Sequence, residues 1–299
     1  MRYGYYLVEP KGSDPIGVLR DQIAQAAADG FSSAWLSNIF GLDALTALAA
    51  AGAQGPAIEL GTAVVPTYPR HPAVLAQQAM TANAALGGRL ALGIGLSHKI
   101  VIEGMYGYDF ERPGRHMKEY LDILIPAGRG EQVEYAGETL RANLRLTGPG
   151  AGFPVLVAAL GPRMLKLAGA VADGTVLWMT GPKTIAEHVA PTITAAAAEA
   201  GREPPRIVCA LPICVTDDRD SAVQRANEIF EVYGQLPSYR AMLDREGAAN
   251  PGDVAIVGDE KAVLAELEEL ERAGVTDFVA SVYANRERTR NLLIGAAKG

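Results

Sequence analysis

Residues 58–95 read IELGTAVVPTYPRHPAVLAQQAMTANAALGGRLALGIG, and this stretch decides the fold. IELGTAV at 58–64 is a short apolar run with β-branched residues, the pattern of a buried strand. Pro72 suits the first turn of a helix, where its missing N–H costs nothing. Val74, Leu75, Ala79, Ala82 and Leu86 then recur on one helical face, and Gly87-Gly88 closes the helix. LALGI at 90–94 is a second apolar strand. A helix between two neighbouring strands makes them parallel, because the chain must cross back before the next strand begins.

The same unit recurs in both directions. Toward the start, strands are expected at 3–8 (YGYYLV) and 33–37 (SAWLS), with helices over 14–29 and 42–51 that stop at Gly30 and Gly52. Toward the end, strands are expected at 154–158 (PVLVA), 174–178 (GTVLW), 206–215 (RIVCALPICV) and 276–281 (TDFVAS). Helices are expected from Pro162 to Val171, over 183–200 and over 218–234. A further helix carries Val263, Leu264, Leu267 and Leu270 inward, and a terminal helix closes the chain. Eight such units close naturally into a (β/α)8 TIM barrel spanning 1–299 as one domain, with an open doubly wound sheet as the competitor. Two stretches read as irregular insertions: 96–153, after strand four, with a helix near 114–126 and a polar hairpin near 131–141, and 235–258, between strands seven and eight.

The chain has 299 residues, 49% hydrophobic and 20% charged, which is ordinary globular composition. Its formal charge of −7 repels phosphate backbones and argues against nucleic acid as a partner. The opening MRYGYYLVEP does not read as a secretory signal, and no run approaches the roughly 20 apolar residues of a membrane span. A cytoplasmic location without membrane contact is expected. Cys209 and Cys214 lie five apart in one strand, so they point to opposite faces and read as small buried hydrophobes rather than a disulfide.

In a barrel of parallel strands, chemistry gathers at the carboxyl ends. The residues that follow the strands are Glu9-Pro10; Ser37, Asn38, Ile39 and Phe40; Ala63 to Thr67, then Tyr68, Arg70 and His71; Gly95, Leu96, Ser97 and His98; Ala159, Leu160, Gly161, Pro162 and Arg163; Trp178, Met179, Thr180 and Gly181; and Ser281, Val282 and Tyr283. No G-x-S-x-G or H-E-x-x-H motif occurs, and the four histidines show no metal-ligand spacing. Gly93-Ile94-Gly95 follows a strand, but the third glycine of a dinucleotide fingerprint is replaced by His98. Leu160-Gly161-Pro162-Arg163 is more telling. A helix start after Gly161 offers free N–H groups and positive dipole to a phosphate, and Arg163 adds charge; a plain helix cap is the alternative.

Four segments in order, FSSAWLSN (31–38), ELGTAVVPTYPRHP (59–72), GGRLALGIG (87–95) and ALGPRMLKLAGAVADG (159–174), resemble the bacterial luciferase-like superfamily of flavin- and deazaflavin-dependent oxidoreductases. GLSHKIVIEGMYG (95–107) and LPSYRAMLDREGAA (236–249) are similar to its actinobacterial coenzyme F420-dependent subgroup. The resemblance implies a TIM barrel with insertions, a homodimer, a small organic substrate, and a non-prolyl cis peptide at Ala63–Val64. It implies coenzyme F420, with FMN as the alternative, held by Asn38, Ala63, Val64, Thr67, Ser97, His98, Ala159, Gly161 and Thr180. The phosphate would then meet the helix start at Gly161, Pro162 and Arg163.

One position departs from the pattern. Alcohol and sugar-phosphate dehydrogenases of this family carry a catalytic histidine just after strand two, where this chain has Ile39, which cannot act as a base. Hydride transfer from the reduced cofactor to an acceptor therefore fits better than oxidation of a hydroxyl. His98 is a candidate proton donor or a loop histidine bonded to backbone; Glu9 is a candidate donor or an exposed rim carboxylate. Trp35 and Trp178 read as packing residues. Arg70, Lys99, Arg112 and Arg115 either attract an anionic tail or are solvated, and Tyr106 and Tyr108 are placed to cover a pocket. The rival functions are an FMN-dependent monooxygenase and a non-catalytic cofactor-binding protein. No metal site is expected.

Overall fold

The computed structural model describes residues 1–149 and 152–298. Strand and helix alternate as β1 (Arg2–Tyr6), α1 (Pro15–Asp29), β2 (Ser33–Leu36), α2 (Ala44–Gly52), β3 (Glu59–Thr62), β4 (Val65–Pro66), α3 (Pro72–Ala85) and β5 (Leu90–Gly95). The first insertion follows as α4 (Lys99–Gly104), α5 (Pro113–Gly128) and the antiparallel hairpin β6 (Gln132–Ala136) and β7 (Arg141–Arg145). Then come β8 (Val155–Val157), α6 (Pro162–Val171), β9 (Gly174–Trp178), α7 (Pro182–Thr184), α8 (Ala190–Glu199), β10 (Arg206–Val215), α9 (Arg219–Gln235), α10 (Pro237–Glu246), β11 (Ile256–Gly258), α11 (Glu260–Arg272), β12 (Asp277–Val282) and α12 (Arg286–Lys298).

Strands β1, β2, β3, β5, β8, β9, β10 and β12 pair in parallel in that order, and the β12–β1 pairing closes the ring. The open-sheet alternative is thereby excluded. Helix starts are fixed by the expected chemistry: Asp14, Asp43, Asp218 and Asp259 accept backbone N–H groups at the heads of α1, α2, α9 and α11. Gly30 ends α1 in the left-handed conformation, with φ 94°.

Three segments differ from the sequence reading. Strand three is not continuous over 58–64: β3 stops at Thr62 and β4 resumes at Val65, around the cis peptide at Ala63–Val64 that the family resemblance implied. The helix expected over 183–200 starts at Pro182 and carries a π-helical turn at Ile185–Val189. The stretch 235–258 is ordered rather than irregular, because Pro237 opens α10, Gly247 caps it with φ 83°, and β11 then extends β10.

The barrel interior is filled from its amino-terminal end. Trp35 is fully buried among Ala91, Leu156, Val176, Val208, Ala210 and Val279, and its Nε1 donates to Ser33 Oγ at 2.8 Å. Gly61 lies flat under the indole; a Cβ there would stand 2.2 Å from the ring. Beneath this plug, Arg206 at the start of β10 donates to Glu59 on β3 and to Asp277 on β12, each at 2.8 Å. Asp277 is almost fully buried, and Arg2 also lies 3.3 Å from it.

Cutting Arg206 back to alanine strands a buried carboxylate. Arg206→Ala is expected to lower unfolding free energy by about 2–4 kcal/mol, read from the urea midpoint. An unchanged midpoint would show that Arg2 alone holds Asp277.

Candidate functional site

Above the Trp35 plug the barrel is open. The inward residues of the lower layer are buried, whereas Tyr6, Ala63, Val64, Ala158, Trp178 and Ser281, at or just beyond the carboxyl ends of their strands, are partly exposed. One half of this mouth is formed by the ends of β1, β2, β3, β5 and β8, and the other by β9, β10 and β12.

The first half is shaped by the break in strand three. Thr62 replaces the lost ladder bonds with its side chain: its Oγ1 donates to Gly93 O at 2.8 Å and accepts from Gly93 N at 2.9 Å. A Cβ on Gly93 would stand 2.0 Å from Thr62 O, and one on Gly95 would stand 2.6 Å from Val64 Cγ2. The Gly-Ile-Gly sequence thus serves the bulge at 63–64 and belongs to no nucleotide loop. Tyr6 reaches across from β1 and donates from Oη to Ala63 O at 3.2 Å.

The candidate residues fall into two groups. Ala63, Val64, Ser97, His98, Ala159, Gly161 and Asn38 end the strands of the first half. Asn38 Oδ1 accepts the Ala44 N–H at 2.9 Å and so caps α2. Ser97, with φ 61°, and Met179, with φ 53°, hold the left-handed conformation where the chain leaves β5 and β9; such backbone gathers at functional sites. Gly161 precedes α6, whose start has no side-chain cap, and the space around a Cβ at Gly161 is open to 4 Å. Pro162 and Arg163 are exposed beside it.

Other candidates are engaged by the protein. Glu9 Oε1 accepts the Leu42 N–H at 2.7 Å, which ties β1 to the loop after β2. Thr180 is buried and its Oγ1 donates to Trp178 O at 3.2 Å. Thr67 is buried, and its Oγ1 is hydrogen-bonded to His116 Nε2 at 3.1 Å. Arg70 pairs with Asp43, and Arg112 and Arg115 pair with Glu138. Ile39 and Phe40 are exposed on the rim, as are Tyr106 and Tyr108.

In the second half of the mouth the sequence reading placed the strand ends but missed the rings that α9 and α10 bring to them. Phe230 and Tyr233 from α9 pack edge-on against Trp178, with centroids at 5.6 and 5.7 Å, and Tyr239 from α10 meets Tyr233 at 5.1 Å and His98 at 5.7 Å. The available signal was the pair Phe230 and Tyr233, one turn apart on an otherwise charged helix.

A family model described as luciferase-like monooxygenase matches residues 1–277. The chain belongs to this luciferase-like family. Among curated relatives, the 5,10-methylenetetrahydromethanopterin reductase of Methanolobus tindarius is 27% identical over 94% of this chain and 95% of its own. The coenzyme F420-dependent tetrahydromethanopterin reductase of Methanopyrus kandleri superposes with a TM-score of 0.82, at 23% identity, over 98% of this chain and 97% of that one. An F420-dependent secondary alcohol dehydrogenase with an F420-acetone adduct gives a TM-score of 0.81 at 19% identity, over 99% and 98%.

Electrostatically, this luciferase-like mouth is neutral. Burial lowers the pKa of His98, so the imidazole is uncharged at neutral pH. Burial also holds His116 at about 4, although Glu119 opposes the shift. Its ring stacks on Tyr68 at 3.9 Å, below the rim. The Tyr68, Tyr120 and Trp178 polar atoms are buried without a protein partner, as is Arg70 Nη1.

His116 sets a pH dependence. Its folded pKa of about 4 lies below its unfolded value of 6.5, so the native state binds fewer protons and stability falls as pH drops through that window. Relative to His116→Gln, the wild-type protein is expected to lose about 2–3 kcal/mol between pH 7 and pH 4, measured by urea titration at each pH. Equal losses in both proteins would refute the buried neutral imidazole.

Proposed function

We propose that this chain is an F420-dependent oxidoreductase that passes hydride from the reduced cofactor to a small organic acceptor. The observation that carries the reading is the open mouth whose first half is a bulge at Ala63–Val64 accommodated by two glycines. Relatives that match along nearly the whole chain are named for F420-linked reactions, which supports the same cofactor here.

The residues present fit such a group. A planar ring has a smooth bed in Ala63, Val64 and Ala158, and an anionic tail has the uncapped start of α6 with Arg163. Asn38, Ser97 and His98 offer polar atoms at the rim, whereas Ala159, Thr67 and Thr180 are fully buried and lie behind the lining. When bound, the cofactor supplies two electrons as hydride; the protein binds, orients and excludes water.

What stands at the rim favours the reductase direction. Ile39 has no basic atom, and the Glu9 and Asp43 carboxylates are already committed to protein donors, the Leu42 N–H and Arg70. A neutral His98 can donate a hydrogen bond from its ring N–H to the acceptor as hydride arrives.

Fluorescence titration separates the readings. F420 is expected to bind at least about tenfold more tightly than FMN, and Arg163→Ala to weaken F420 by about three- to tenfold with a shallower salt dependence. Tight FMN binding without F420 affinity would make the chain a flavin monooxygenase. Tight F420 binding with no turnover of any acceptor would leave a cofactor-binding protein.

A further inference from the structure

We propose that the second half of the mouth is a substrate wall, built from Trp178, Phe230, Tyr233 and Tyr239, that selects an uncharged planar molecule. This rests on the oxidoreductase reading and deepens it.

The rings are continuous. Tyr6 meets Trp178 at 5.9 Å, Trp178 meets Phe230 and Tyr233, and Tyr233 leads through Tyr239 to His98. The band therefore starts beside the bulge that Tyr6 touches and ends at the tip of β5. All these side chains are partly exposed. Flat apolar rings with hydroxyl edges bind other flat rings by stacked and edge-to-face contact.

The wall also lacks charge. Arg240, next to Tyr239, spends its guanidinium on Asp244, Ala248 O and Ala249 O. Glu246 faces the other way and accepts the Lys183 and Thr184 N–H groups, at 3.1 and 2.8 Å. The phenols are held neutral, since burial raises the pKa of Tyr6, Tyr233 and Tyr239. An anion moved against this surface would lose hydration without gaining a counter-charge, and a cation would gain less from the ring faces than it loses in hydration, whereas a neutral ring loses little.

The wall is firmly placed. Glu246 ties α10 to the start of α7, and Thr184 Oγ1 donates to Met242 O at 3.3 Å.

The test is isothermal titration of the full chain, with and without F420, using three probes of matched ring and different charge: 2-naphthol, naphthalene-2-sulfonate and 2-naphthylmethylammonium. 2-Naphthol is expected to bind about tenfold more tightly than either ion. Tyr239→Ala and Tyr233→Ala should each weaken it by about tenfold, and Tyr239→Phe by much less, with F420 affinity unchanged and each variant still folded at the titration temperature. Equal or tighter binding of an ion, no binding of 2-naphthol, or unaltered binding in both alanine variants would overturn the proposal. If F420 fails to bind while the preference for 2-naphthol stays, the cofactor reading falls and the wall stands. If F420 binds and the preference is missing, the wall falls alone.

Discussion

A closed ring of eight parallel strands has more interior than backbone can fill, and the way that space is shared decides everything else in this molecule. Trp35 takes the amino-terminal half, and Gly61 has no side chain because the indole occupies the place of one. With the lower half solid, the ring keeps its shape while its upper half stays open. The Arg206 clasp to Glu59 and Asp277 works on the same side as the plug. Rigidity is concentrated at one end and accessibility at the other.

The open end is then divided by two kinds of residue. On one side, small residues let the backbone itself come to the surface: Ala63, Ala158 and Gly161 leave main chain and methyl groups as the lining. On the other, rings from the segment between β10 and β11 stand up as a wall. A backbone lining holds a constant cofactor, since main-chain groups do not depend on side-chain identity. A side-chain lining from an insertion suits the partner that varies between enzymes of one fold.

The barrel was legible in the sequence because its strands are buried on both faces and so read as unbroken apolar runs, as in RIVCALPICV at 206–215 and GTVLW at 174–178. Helix boundaries followed from Pro and Gly, so Pro162–Val171 agrees end for end. In strand three the cis peptide at Ala63–Val64 was legible only through the family resemblance, since the run of residues by itself reads as continuous and hides the Thr62 hydroxyl standing in for backbone bonds. Gly93 and Gly95 were visible but their purpose was not, because it depends on atoms some thirty positions earlier in the chain. The aromatic wall stayed hidden for the same reason: Tyr239 and His98 are 141 positions apart, and only folding brings them together.

Glu246 has a consequence beyond ending a helix. By closing the head of α7 from α10, it makes two loops one mechanical unit. A guest entering the mouth meets surfaces already in position, so little rotamer freedom remains to be surrendered on contact. Such a receptor discriminates by outline and tolerates little flexing in what it accepts.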